Sequence, residues 1–90
     1  KEIAFIVDTG GLLVRALPGP NDKRFPWVST IDWYGDTTFN HLHAELLRKE
    51  WAILIQNAAN EETRAVLQQV DDLLQRCISG DLLYVKFYGD

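Results

Sequence analysis

Residues 40–80, NHLHAELLRKEWAILIQNAANEETRAVLQQVDDLLQRCISG, decide how this chain folds. They predict two helices joined by a short linker. The first covers about residues 40–58, with Asn40 as N-cap because its side-chain oxygen can accept a free backbone N–H. Thr38 would serve if the helix began earlier. At roughly 100° per residue, Leu42, Leu46 and Ile53 form one apolar band, and Leu47, Trp51, Leu54, Ile55 and Ala58 form a second. His41, Glu45, Arg48, Lys49 and Gln56 point elsewhere, with Glu45 and Lys49 spaced to pair across one turn. Two bands imply two neighbours.

The second helix opens at Asn60, carries Glu61 and Glu62 where the helix dipole favours anions, and stops at Gly80. Val66, Val70, Leu73 and Cys77 share a face with Leu67, Leu74 and Ile78. Arg64, Gln68, Asp71, Asp72, Gln75 and Arg76 are left for solvent, Asp72 and Arg76 at the spacing of a helical ion pair. Ala59 and Asn60 make so short a link that the helices should pack as an antiparallel hairpin.

Outside this hairpin the chain reads as strands. Residues 3–7 are a β-branched and aromatic run, apolar on both faces as an interior strand would be. Asp8, Thr9, Gly10 and Gly11 supply turn chemistry, and residues 12–17 return as a second strand with Arg15 on its wet side. Residues 18–26 hold all three prolines and read as a loop. Residues 27–33 suggest a third strand and residues 34–39 a turn into the helix cap. Residues 82–88 alternate, with Leu83, Val85 and Phe87 on one face and Leu82, Tyr84, Lys86 and Tyr88 on the other. The order is β-β-β-α-α-β. It predicts one α+β domain over residues 1–90, a two-layer sandwich whose mainly antiparallel sheet is covered on one face by the helical hairpin. The open face would carry Tyr84 and Tyr88, with Trp33 or Trp27 beside them.

Ninety residues leave no room for a second core, and a chain this short buries only about 60–65% of its unfolded surface. With 47% hydrophobic residues it is well supplied for so small an interior, which favours an apolar contact surface. The formal charge of −4 and the scattered cations argue against nucleic acid. No apolar run approaches the length of a membrane span, and residues 3–7 are too short for a signal peptide. The chain begins at Lys1 rather than Met, which leaves room for a preceding piece. A lone Cys77, on the apolar face of the second helix, excludes a disulfide framework and a cysteine-based zinc site. It suits a reducing compartment such as the cytoplasm.

Three strings invite chemistry. Asp8-Thr9-Gly10 is the tripeptide that bears the catalytic carboxylate in retroviral-type aspartic proteases, where two carboxylates share a proton. Only seven residues precede it here, no glycine-rich flap follows, and the chain is heavily helical, so a turn explains it. His41 and His43 cannot share a metal ion on a helix, because residues two apart point about 200° from each other. A later helix start would let both face one way, near Asp36. His43, Glu50 and Asn57 recur every seven residues between the two apolar bands. Buried, these groups must be hydrogen-bonded. They reach the edge of the helix–sheet interface, bond the loop backbone, or turn out to solvent. Alternatively they line a small pocket, with Glu50 as base or ligand anchor and His43, about 10 Å away, as proton carrier.

Phe25-Pro26-Trp27, then Thr37-Thr38-Phe39-Asn40 opening a helix that contains Glu50-Trp51, and the close Tyr84-Val85-Lys86-Phe87-Tyr88-Gly89-Asp90 resemble a family of small, uncharacterised bacterial proteins. The resemblance spans most of the chain from Phe25 onward. It implies a shared fold and a bacterial origin but no reaction, and similar proteins often carry Gln where this chain has His43. The expectation is therefore a protein-interaction module, immunity-type or accessory, that meets a protein partner or its own twin through an aromatic sheet face. The alternative is a small-ligand or enzymatic site around Glu50, His43, Trp33 and Tyr34. Trp27, Trp33, Tyr34, His43, Glu50, Tyr84 and Tyr88 are the candidate contact residues, and no catalytic set, metal or cofactor is expected.

Overall fold

The structure is a computed structural model that describes residues 2–7, 12–18, 22–31 and 35–88. Its elements are β1 (Glu2–Val7), α1 (Leu12–Ala16), a 3-10 turn (Val28–Thr30), β2 (Asp36–Phe39), α2 (His41–Gln56), α3 (Glu61–Ile78) and β3 (Leu82–Tyr88). The fold class is α+β. The expected turn at residues 8–11, with its Asp8-Thr9-Gly10, lies outside the described residues, as do Trp33, Tyr34, Gly89 and Asp90.

The helical hairpin forms where its caps place it. Asn40 Oδ1 accepts the His43 N–H at 3.0 Å, and Asn60 Oδ1 accepts the Thr63 N–H at 2.8 Å. At the far end the Gly80 N–H reaches Cys77 O at 3.2 Å, and the φ of +93° at Gly80 turns the chain so that the Asp81 N–H reaches Arg76 O at 3.0 Å. Nothing lies within 4 Å of where a Cβ would sit on Gly80, so backbone conformation alone requires glycine there. The helices run antiparallel, because Arg48 meets Asp71, Trp51 meets Leu67 and Ile55 meets Arg64. Trp51 is wholly buried, and its indole N–H donates to Leu67 O at 2.8 Å, so the largest core side chain keeps no orphan donor.

The sheet differs from the expected one. Its order is β1-β3-β2, with β1 parallel and β2 antiparallel to the central β3. It is mixed, not mainly antiparallel, and the cause is α1. As a strand, residues 12–17 would place Arg15 on the same face as Leu13 and Leu17. One turn of helix buries Leu13 and Leu17 and sends Arg15 outward, with the Leu17 N–H bonded to Leu13 O at 3.1 Å. Deprived of a hairpin mate, β1 pairs with the last strand across a long connection, as parallel strands require.

Three further expectations are corrected. Of the third strand expected over residues 27–33, the described part, residues 27–31, is not a strand. The Ser29 and Thr30 hydroxyls donate to Phe25 O at 2.7 Å and Trp27 O at 2.6 Å, local bonds that hold a 3-10 turn against a ladder. Residues 36–39, expected as a turn, are β2, whose two threonines and Phe39 suit a pleated surface. In β3 it is Leu82, not Leu83, that joins Val85 and Phe87 in the core. The register slips so that Glu2 faces Leu82 while Ile3 faces Tyr84, and the extra residue, Leu83, is pushed out to water.

Inside, Phe87 lies edge-on to Phe39 at 5.7 Å and 6.2 Å from Trp51, joining the sheet to both helices. Cys77 is fully buried, and that burial pushes its thiol pKa up, which keeps it an inert apolar filler. Asp71 does not face solvent as its helical phase suggested. It is buried at the α2–α3 contact, where Arg48 Nε and a terminal nitrogen hold its two oxygens at 2.9 and 3.4 Å. Asp72 and Arg76 form no ion pair with each other.

Candidate functional site

The described candidate residues separate into two groups. The first surrounds Glu50, which is 8% exposed. Its Oε1 accepts the Val28 N–H at 2.9 Å, and both its oxygens accept the Trp27 N–H at 3.1 Å. The carboxylate thus closes the start of the 3-10 turn, where Pro26 and the reversal of the chain leave two amides without backbone acceptors. His43, one band-width along the helix, stacks on the Trp27 ring at 5.5 Å and stands edge-on to Phe39 at 6.5 Å. Asn57 is exposed at the C-cap of α2. The three members of the polar seam therefore have three different fates.

Just upstream, Asp22 and Arg24 brace the same loop. Arg24 donates to Asp22 from Nε at 3.1 Å, from a terminal nitrogen at 2.7 Å and from its backbone N–H at 3.0 Å. These bonds, the side-chain ones foremost, hold the Asp22 carboxyl below the ordinary carboxylate range. Trp27 is half-buried against the core, so it belongs to this loop and not to the open sheet face where it was a candidate.

An open groove of about 720 Å³ runs between α2 and α3 over Leu46, Ala52, Ile55 and Ile78. A smaller one, about 500 Å³, lies where Arg15 approaches Asn57, Asn60 and Thr63. Neither is lined by Glu50 or His43. The oxygens of Glu50 are already taken by amides, so they are poorly placed to act as a base. Among the described residues no three His, Cys, Asp or Glu side chains gather as metal ligands.

The second group is the outward sheet face. The register sets Ile3 beside Tyr84, Phe5 beside Lys86 and Val7 beside Tyr88, with Thr38 and Asp36 completing the rows on β2. Phe5 and Tyr88 stack at 5.4 Å, and Lys86 Nζ lies 5.1 Å above the Tyr88 ring and 3.6 Å from Asp36. Ile3, Phe5 and Val7 remain 42, 55 and 65% exposed, and Leu83 stands out at the strand's start. Sequence reasoning found Tyr84 and Tyr88 but missed Ile3, Phe5 and Val7. A strand apolar on both faces signalled an interior position, whereas β1 lies at the sheet edge with one face uncovered.

The outward face is thus an apolar and aromatic surface with one balanced charge pair near its middle. It can exclude water against another apolar surface, and the edge of β1 adds a row of backbone donors and acceptors. The chain finds no match among protein-family models, curated proteins or solved structures.

Proposed function

We propose that this chain is a small protein-interaction module, of immunity or accessory type, that receives a second protein on its outward sheet face. The observation that carries this reading is the exposure of Phe5 and Val7, both more than half uncovered, beside Tyr84 and Tyr88 on an edge strand. On a chain this small, such a contiguous apolar patch costs solubility unless it is used. The partner that fits is an extended apolar segment laid along β1, with basic residues at its rim to suit the net charge of −4. In the same reading α2 and α3 form one layer over the inner sheet face, making a two-layer sandwich. Membership of the small bacterial family suggested by the aromatic strings, and a cytoplasmic setting suited to the lone buried Cys77, belong to this proposal too.

The test places a photo-crosslinking residue at Phe5, at Leu83 and, as control, at exposed Gln69. A single protein species captured at the first two positions and not at the third is expected. Once purified, that species should bind the wild-type chain and lose at least tenfold in affinity for Phe5→Ser. Capture that ignores position, or equal affinity for Phe5→Ser, would overturn the reading.

A further inference from the structure

The apolar band Leu42, Leu46 and Ile53 was expected to meet a second neighbour inside the chain. It does not. The buried side of α2 centres on Ala44, Leu47 and Trp51, with Glu50 at its margin, and on the helical wheel the band lies across from that centre, within an arc of about 40°. Leu42 is 58% exposed, Leu46 38% and Ile53 45%. Glu45 and Lys49 flank this stripe one turn apart. Despite the favourable order, glutamate before lysine, they form no ion pair with each other or with another described residue.

We infer that a second copy of the chain covers this stripe, α2 lying antiparallel on α2 about a two-fold axis. Charge complementarity selects this occupant and this direction. With the helices antiparallel, Leu42 lies on Ile53 of the second copy and Leu46 lies on the stem of its Lys49. The Lys49 ammonium then reaches Glu45 of the second copy, and symmetry repeats every contact. Long lysine stems cover apolar surface in this way while their charge stays near water. A parallel arrangement would set Lys49 against Lys49 and Glu45 against Glu45, repelling in both layers. The contact spans about 16 Å of helix, three turns, at 1.5 Å per residue. This inference does not rest on the sheet-face reading, because the stripe lies on a helix and the other surface on the sheet.

The experiment is sedimentation equilibrium on the full chain across a micromolar concentration series, with far-ultraviolet dichroism to confirm that each variant is folded. Wild type should dimerise. Glu45→Lys and Lys49→Glu should each weaken the dimer about tenfold, since each replaces two attractive pairs with two repulsive ones. The double variant E45K/K49E should restore wild-type affinity, because the pairs re-form with their signs exchanged. Leu46→Asp should leave only monomer, and Phe5→Ser should change nothing. A monomeric wild type would overturn the inference, as would a dimer indifferent to the charge exchanges. A dimer that Phe5→Ser abolishes would overturn it as well and assign self-association to the sheet.

Discussion

Removing the Glu50 side chain tests whether that carboxylate is a structural clamp. In Glu50→Ala the Trp27 and Val28 amides lose their acceptor while remaining under the core. Hydrogen bonds to a charged group contribute about 1.5–3 kcal/mol each, and a buried amide left without a partner costs about 1–3 kcal/mol. Val28 is buried and pays most of that penalty, whereas Trp27 is half-buried and can find water. The two amides together set an expected loss of about 3–4 kcal/mol. Glu50→Gln keeps one acceptor oxygen for Val28 but turns an amide group toward the Trp27 N–H, so about half that loss is expected. For a chain of this length each kcal/mol moves the melting temperature by about 4–8 °C, which puts the Glu50→Ala midpoint roughly 12–30 °C below wild type. The assay is urea unfolding followed by tryptophan fluorescence, paired with amide hydrogen exchange. In both variants protection at Val28 should fall, and at buried Leu74 in α3 it should fall only by as much as the global stability does. A loss below 1 kcal/mol for Glu50→Ala, with Val28 protection intact, would refute the clamp and reopen the residue to a chemical role.

Two other expectations follow from charges. Arg48→Ala strands the nearly buried Asp71 carboxylate, whereas Asp71→Ala leaves an Arg48 side chain 39% exposed and free to turn to water. Arg48→Ala should therefore cost about 2–3 kcal/mol and Asp71→Ala about 1–2 kcal/mol by urea unfolding; the reverse order would contradict the geometry. Asp22 is held below its ordinary pKa, so its bonds to Arg24 stabilise the folded loop at and above about pH 4 and fade as pH falls through the lowered value. The Arg24 amide resonance should titrate with a midpoint below about 4, and Arg24→Ala should move the Asp22 side-chain midpoint up toward that value. A wild-type midpoint at or above it would remove the brace.

The hairpin was legible because its signals are local. Asn40 and Asn60 bond amides three residues on, Gly80 needs a positive φ, and the apolar spacing repeats within each helix. The short segments were less legible. Residues 12–17 contain enough Leu and Val to pass for a strand, and only the competition between Arg15 and the core shows why they coil. Thr37, Thr38 and Phe39 carried a strand signal that the neighbouring Gly35 and Asp36 masked as a turn.

The amino-acid order dictated the two capped helices, the strand at residues 82–88, the apolar content of residues 3–7 and the polar positions along α2. Each depends on neighbours within about one helical turn or on alternation along a single strand. Folding in three dimensions assigned the partners. It made β3 central between β1 and β2, left Phe5 and Val7 in water, drew the Glu50 carboxylate to the Trp27 and Val28 amides, and buried Asp71 under Arg48. Those outcomes join residues more than twenty positions apart. Whether a side chain is covered depends on which distant element arrives, and periodicity within one segment carries no record of that arrival.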